Sequence, residues 1–453
     1  ELSRPFKAMK AEKIFPNVYK LTLPRDVNVS SAAREFMADP NIEYAEPSYI
    51  YHTCVVPNDP DYHLQWAHGV IESERAWDIE TGDPDVVIAV VDTGVDWDHP
   101  DLAANIWNNK DEVIDGIDND GNGFIDDVRG YDFVHTTNPV WPGEDGAERD
   151  NDPMDFHGHG THCAGIVAAV TNNGVGIAGV GWNCKIMPVR AGYKGEDGGG
   201  YFEIDDVVAA ITYAVDNGAR IISMSWGDYG ASALLWEAVK YAYDRGVLMV
   251  AAAGNEETSA KFYPAAFDEV VAVTATNRDD ESAWFTNFGD WVEVAAPGVG
   301  IYSTVWDDSY QYMNGTSMST PHVAGVAALV WSRFANMTRD RVRLQLRHTA
   351  DDLGDAGFDV YYGYGRINAR RAVEQAPANH DLLIAYWEKP RQVKPGSMAK
   401  IYTTVFDFGT SDERNIEVQL LVNGSAVDST FISNLASYTS AIAICAWSPT
   451  LEG

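Results

Sequence analysis

Five short apolar runs rich in β-branched residues recur between residues 86 and 273, and helix-length segments separate most of them. Val86–Val91 (VVIAVV), Lys185–Val189, Arg220–Met224, Val247–Ala252 and Val270–Val273 lack the polar alternation of a half-exposed strand. They read as strands buried on both faces. Thr161–Val170, Glu203–Asn217, Ala233–Arg245 and Ser319–Phe334 carry helical patterns. Strands that return in parallel need crossovers, and helices supply them while covering the sheet. The fold class predicted for residues 60–376 is therefore α/β, a parallel sheet with helices on both faces.

The flanks differ. Residues 1–52 read as a small α+β unit, with strand-like Lys13–Pro24, a helical patch at Ser31–Ala38 that Ser30 would cap, and strand-like Ile42–Tyr51. Asn58-Asp59-Pro60-Asp61 reads as a linker. Beyond 378 the helical patterns stop. Asp381–Trp387, Met398–Phe406, Ile416–Val422 and Ala441–Trp447 are strand-like, and Asn423-Gly424 signals a hairpin. The expected domains are 1–52, 53–378 and 379–453, the last a β-sandwich cut short. Glu1 and Gly453 both read as truncation points.

Charge narrows the function. With 32 Lys+Arg against 67 Asp+Glu the net charge is −35. Such a chain has no general surface for nucleic-acid phosphates. It suits cations or salty surroundings. The longest apolar runs, Val86–Val91 and Val323–Trp331, are far shorter than the roughly 18 residues of a membrane helix. The four cysteines, Cys54, Cys163, Cys184 and Cys445, form no Cys-x-x-Cys pair and no disulfide scaffold.

Three motifs carry chemistry. Asp92 follows a buried strand in Val90-Val91-Asp92-Thr93-Gly94. His157-Gly158-His159-Gly160-Thr161-His162 opens a helix, and Asn314-Gly315-Thr316-Ser317 precedes another with Pro321 near its start. A serine hydroxyl attacks well only when an imidazole takes its proton, and a carboxylate fixes the imidazole tautomer. The ends of parallel strands and the starts of helices are where such groups meet. The developing oxyanion needs donors, and Asn255 with the Ser317 N–H could supply them. His157, His159, His162 and His322 are all candidates for the base.

Together these motifs strongly resemble the subtilisin-like serine peptidases, over roughly residues 60–376. The resemblance implies Ser317 as nucleophile, His159 as base, Asp92 as orienting acid and Asn255 as oxyanion donor. Asn in that last role is known from subtilisin itself. It implies a substrate groove walled by Ser225, Trp226 and Gly227 on one side and Ala252, Ala253 and Gly254 on the other. Trp226 stands where a smaller aliphatic residue is usual; it either reshapes the S1 region or packs on the next helix. Residues 1–52 resemble the family's inhibitor-like propeptide without its first strand. That implies a self-processing precursor cut near His52-Thr53, with Glu46–His52 in the groove; a permanent N-terminal domain is the alternative. The C-terminal strands resemble Ig-like adhesion modules through Asp381, Pro395-Gly396 and Leu421–Ser425, and such a module binds a surface or serves as a spacer.

Calcium is expected twice. Between Asp111 and Asp155 fourteen acids face two arginines. Within them Asp118, Asp120, Asn122, Phe124 (by its carbonyl) and Asp126 copy the first half of an EF-hand loop, though Arg129 stands at its twelfth position. The resemblance implies a second site from Gln65, Asp101 and Asn173 with carbonyls of Thr171, Val175 and Ile177. Cys163, one turn after His159, is either a small buried apolar residue or a regulatory thiol. The expected protein is a secreted or cell-surface, monomeric serine endopeptidase acting on proteins or peptides, with its own propeptide as partner. Its rivals are a catalytically silent binding protein and a narrow processing peptidase.

Overall fold

The computed structural model describes residues 9–24, 27, 29–48, 55–376, 380, 382–388, 393–407, 409, 411–422, 425–437 and 439–449. It divides into two compact units, Glu1–Cys54 and Val55–Gly453. In the first, β1 (Lys10–Phe15) and β2 (Val18–Thr22) form an antiparallel hairpin, and α1 (Val29–Phe36) follows. The strand expected over Lys13–Pro24 is thus a hairpin, turned at Asn17 with φ 65°; Asn tolerates that conformation. The strand expected at Ile42–Tyr51 is absent over 42–48. Pro47 has no N–H to give a ladder, and among the described residues β1 and β2 pair only with each other. Residues 49–54, which hold the expected cleavage point, lie outside the described residues.

The second unit does not begin as a loose linker. Asp59 accepts the N–H groups of Asn172 and Asn173 at 2.7 and 2.9 Å, and Asp61 N–H donates to the Gly176 carbonyl at 2.8 Å. Short helices α2 (Trp66–Val70) and α3 (Ser73–Trp77) lead to β3 (Val87–Asp92) and β4 (Tyr131–Asp132). Then come α4 (His159–Ala168), β5 (Lys185–Arg190), β6 (Gly192–Lys194), β7 (Gly200–Phe202) and α5 (Ile204–Asp216). The chain continues through β8 (Ile221–Met224), α6 (Ala233–Asp244), β9 (Leu248–Ala252), β10 (Val270–Thr276) and β11 (Val294–Pro297). The hairpin β12 (Ile301–Val305) and β13 (Ser309–Met313) precedes α7 (Thr316–Arg333), α8 (Arg339–His348) and α9 (Ala369–Glu374).

Seven strands form the central sheet in the order β11-β10-β9-β8-β3-β5-β4, all parallel. Side chains alternate between two cores. Ile88 and Val90 of β3 join the helices α4 and α7, whereas Val87, Ala89 and Val91 join α5 and α6. The chain leaves β3 through α4 to β5 on one side, then returns through α5 to β8 on the other. The order therefore turns at β3, and such a turning point opens a crevice at the carboxyl ends of the strands.

Helix α7 starts at Thr316, earlier than the expected Ser319, which places Pro321 inside it rather than in its first turn. A proline has no N–H for the carbonyl four residues back. That carbonyl, of Ser317, is met from outside the helix by Ser225 Oγ at 2.8 Å and Cys163 Sγ at 3.5 Å.

The C-terminal strands are β14 (Leu382–Glu388), β15 (Ala399–Asp407), β16 (Glu413–Val422), β17 (Ser425–Leu435) and β18 (Ser440–Trp447). They form an antiparallel β14-β15-β18 sheet and a β16-β17 hairpin. Val405, Ile416, Val418, Ile432, Leu435 and Ala443 make their apolar cluster. Sequence reading did not delimit β17, whose polar residues mask its period. Asp381, Asn423 and Gly424 lie outside the described residues.

Candidate active site

Asp92 ends β3, His159 opens α4 and Ser317 stands in the first turn of α7. Helix α4 comes this close to the strand end because residue 160 is Gly. A Cβ there would stand 2.0 Å from the Gly94 carbonyl oxygen and 3.1 Å from Asp92 Cβ. His159 Nδ1 lies 2.7 Å from Asp92 Oδ1, which also accepts the Thr93 N–H at 2.8 Å. Enclosure works against the imidazolium, but the Asp92 charge and hydrogen bond, with the charge of Asp155, outweigh it and hold the His159 pKa above the usual imidazole value.

The other histidines differ in kind. His162 Nε2 faces the carbonyls of Ile301 and Gln311, and burial pulls its pKa to about 3. His322 Nδ1 faces the Met318 carbonyl, and burial takes its pKa to about 4. Burial and the neighbouring His159 also lower His157. Of the four imidazole rings, that of His159 alone bonds a carboxylate among the described residues.

Ser317 is beside this pair but not bonded to it. Its Oγ donates to the Ser225 carbonyl at 2.9 Å. Cys163 bridges the two: its sulfur meets the Ser317 carbonyl, and the Asp92, His159 and Cys163 polar atoms lie within 4.8 Å of one another. Burial pushes the Cys163 thiol well above its usual pKa, so it is a neutral packing residue there.

Asn255 follows β9. Its Oδ1 accepts from Thr316 N–H at 2.9 Å and Thr316 Oγ1 at 3.0 Å, which leaves its amide N–H groups for the cleft. A side chain on Gly315 (φ 151°) would begin 3.5 Å from Asn255 Nδ2 and 3.6 Å from Ser317 N. Both donors therefore border one small space that glycine keeps open.

A family model for the subtilase family matches residues 83–365. The chain belongs to the subtilase family. It is accordingly a serine endopeptidase by class. It is 40% identical over 347 residues to a thermophilic serine proteinase of Bacillus sp. (strain AK1), covering 76% of each chain. It is 41% identical over 349 residues to the halolysin-like extracellular serine protease Nep of Natrialba magadii, covering 77% of this chain and 58% of that one. Among solved structures it is similar to a protease from Pseudoalteromonas arctica PAMC 21717, with TM-score 0.59 and 31% identity, over 71% of this chain and 99% of that one.

In this subtilase, Ser225–Gly227 and Ala252–Gly254 continue from the carboxyl ends of β8 and β9, at the crevice. Trp226 is fixed from two directions. Its indole N–H donates to the Val91 carbonyl at 2.7 Å, and its ring stacks on Phe202 with centroids 5.3 Å apart. It thus reaches across the residue before Asp92 to β7.

The residues expected to hold calcium have these partners. Asp118 shapes its own turn, accepting Gly121, Asn122 and Gly123 N–H groups at 2.7, 3.2 and 2.9 Å. Those bonds, the Gly123 one foremost, lower its pKa. Asp126 accepts the N–H groups of Asp115 and Gly116, and the Asn122 amide donates to Asp120 and Asp127. Among the described residues the carboxylates that converge here are Glu112, Asp120 and Asp127, of which Asp120 belongs to the expected set.

Gln65 is engaged with both backbone groups of Ala178, each at 2.8 Å. The side chain that grips the 172–174 loop is Asp59, which sequence reading took for part of a linker. Asp101, fully buried, accepts Ile177 N–H at 2.8 Å, the Asn173 amide at 2.9 Å and the Tyr310 hydroxyl at 3.3 Å. Burial, with the Asp59 charge adding to it, raises its pKa to about 6. Thr171 Oγ1 serves Ala169 and Gly179 rather than Asp101. Two buried carboxylates from separate segments meet the 172–177 loop with no bonded cationic side chain among the described residues, and such oxygen donors fit a hard cation. Sequence reading also missed Asn287, whose side chain bonds the Ala253 carbonyl and the N–H groups of Glu256 and Thr258 and so shapes the Asn255 loop.

Proposed function

We propose that the chain is a secreted serine endopeptidase that cleaves proteins through an acyl-enzyme on Ser317. The observation that carries this reading is the His159–Asp92 pair at 2.7 Å beside a serine whose N–H shares one open space with the Asn255 amide. In the reaction Ser317 Oγ turns from the Ser225 carbonyl toward His159, which accepts its proton as the oxygen attacks the scissile carbonyl. Asp92 steadies the imidazolium. Asn255 and the Ser317 N–H receive the oxyanion. His159 then gives the proton to the leaving amine, and water releases the acyl group by the same route.

Substrate backbone pairs with Ser225–Gly227 and Ala252–Gly254, a mode largely indifferent to sequence. Residues 1–52 act as a propeptide removed by self-cleavage, and the C-terminal strands as an appended Ig-like module. When calcium is bound, Asp59 and Asp101 hold it and it stabilises the 171–178 loop by mass action. Secretion is supported by the similarity to the extracellular serine protease of Natrialba magadii.

A fluorophosphonate probe with mass-spectrometric mapping tests the reading, with calcium and with chelator. Label on Ser317 with a new N-terminus near Thr53 supports it. No label on a folded, calcium-loaded chain freed of residues 1–52 overturns it.

A further inference from the structure

The catalytic pair stands on a second carboxylate. Asp155 is 2% exposed and takes five hydrogen bonds from two stretches of chain. Its Oδ1 accepts Thr93 Oγ1 at 3.0 Å, His157 N–H at 2.8 Å and Gly158 N–H at 2.9 Å. Its Oδ2 accepts Thr161 N–H at 3.0 Å and Thr161 Oγ1 at 2.7 Å. Thr93 follows Asp92, and its hydroxyl also accepts the Gly160 N–H at 3.0 Å. Gly158 and Thr161 bracket His159. One buried group thus joins the end of β3 to the start of α4, where a negative charge also suits the unpaired N–H groups of the helix.

We propose that Asp155 is a positioning residue of this subtilase, setting the distance between Asp92 and His159 and supporting the imidazolium through its charge. The inference rests on the proposed reaction at Ser317. The titratable groups around His159 are Asp92, Asp155, His157, His162 and Cys163, and Glu144 lies in the field of Asp155. Of these, the two carboxylates that raise His159 are Asp92 and Asp155.

The test compares the full chain with Asp155→Asn and with Thr93→Ala, which removes two bonds of the clamp, to Asp155 and from the Gly160 N–H, and keeps the charge. The expected kcat loss is about 10- to 100-fold for Asp155→Asn and smaller for Thr93→Ala, with KM nearly constant, as for displaced catalytic groups. The His159 imidazole, followed by NMR in labelled protein, titrates at lower pH in Asp155→Asn and near the parent value in Thr93→Ala. The acid limb of kcat/KM moves down with it. If Asp155→Asn does not fold, the Thr93→Ala kcat decides. An unchanged kcat and imidazole titration in a folded variant overturn the proposal, as does a loss confined to KM. A parent chain that never labels at Ser317 instead defeats the proposed reaction, and the NMR titration then still judges the link between Asp155 and His159.

Discussion

Asp118 and Asp155 lie in the same acid-rich stretch, and each accepts several hydrogen bonds, but their partners differ. Asp118 is satisfied by the N–H groups of Gly121, Asn122 and Gly123, all in its own exposed turn. Asp155 is buried and reaches Thr93, 62 residues back, as well as the start of α4. A carboxylate paid by its own turn shapes that turn. A carboxylate shared between distant segments fixes tertiary geometry, and its removal strands buried donors. Asn255 and Asp101 belong with Asp155: Asn255 is pinned by Thr316, 61 residues on, and Asp101 by Ile177, 76 residues on.

The difference can be broken by mutation. The largest effect is expected for Asn255→Ala, which keeps the Ser317 N–H but loses the other donor. Its kcat should fall about 10²–10³-fold, the loss known for the same donor in subtilisin, the family's namesake. A drop below about tenfold would show that the shared space beside Gly315 does not hold the oxyanion. Next is Asp101→Asn or chelation, which should lower the melting temperature and speed proteolytic nicking near residues 171–178 while kcat of the surviving fraction stays near the parent value. Equal melting curves with calcium and with chelator would remove the cation from that loop. The pH dependence is subtler. Because His159 is held above the ordinary imidazole value of about 6.5, kcat/KM should rise with pH through a midpoint above that value. The same shift stabilises the fold below the unfolded-state pKa and is lost as pH rises through the folded one. Asp118→Asn should change least, with activity and melting temperature close to the parent. A marked effect on kcat would erase the distinction between local and bridging carboxylates.

The sequence revealed what depends on period and on element ends. Val86–Val91 read as buried on both faces and is β3, one residue offset. The motifs around Asp92, His159 and Ser317 were legible because each sits where a strand stops or a helix starts, and the family resemblance chose the three residues within them. Polar side chains that act through distant partners were not. Asp59 passed for a linker residue, and the hold of Gln65 on Ala178 was not foreseen, since nothing local says which backbone each will meet. The alternating acids from Asp118 to Asp126 copy a calcium loop in spacing, and that spacing did not tell that Gly121 and Gly123 turn their N–H groups onto Asp118. Chain spacing describes an available set of oxygens, and the turn decides where they point. Asp155 had a local hint, four residues before His159 at a helix start, but its grip on Thr93 had none.

Pro321 has a consequence for how the nucleophile is held. Most residues of a helix take their longitudinal position from the ladder they belong to. By withholding one amide, Pro321 detaches the Ser317 carbonyl from that ladder and gives it to β8 and α4 through Ser225 and Cys163. The nucleophile is thereby surveyed from the sheet rather than from its own helix. Strain or drift farther along α7 has one fewer path to the reacting oxygen. A residue that makes no contact with substrate thus acts as a mechanical fuse between a long buried rod and the chemistry at its tip.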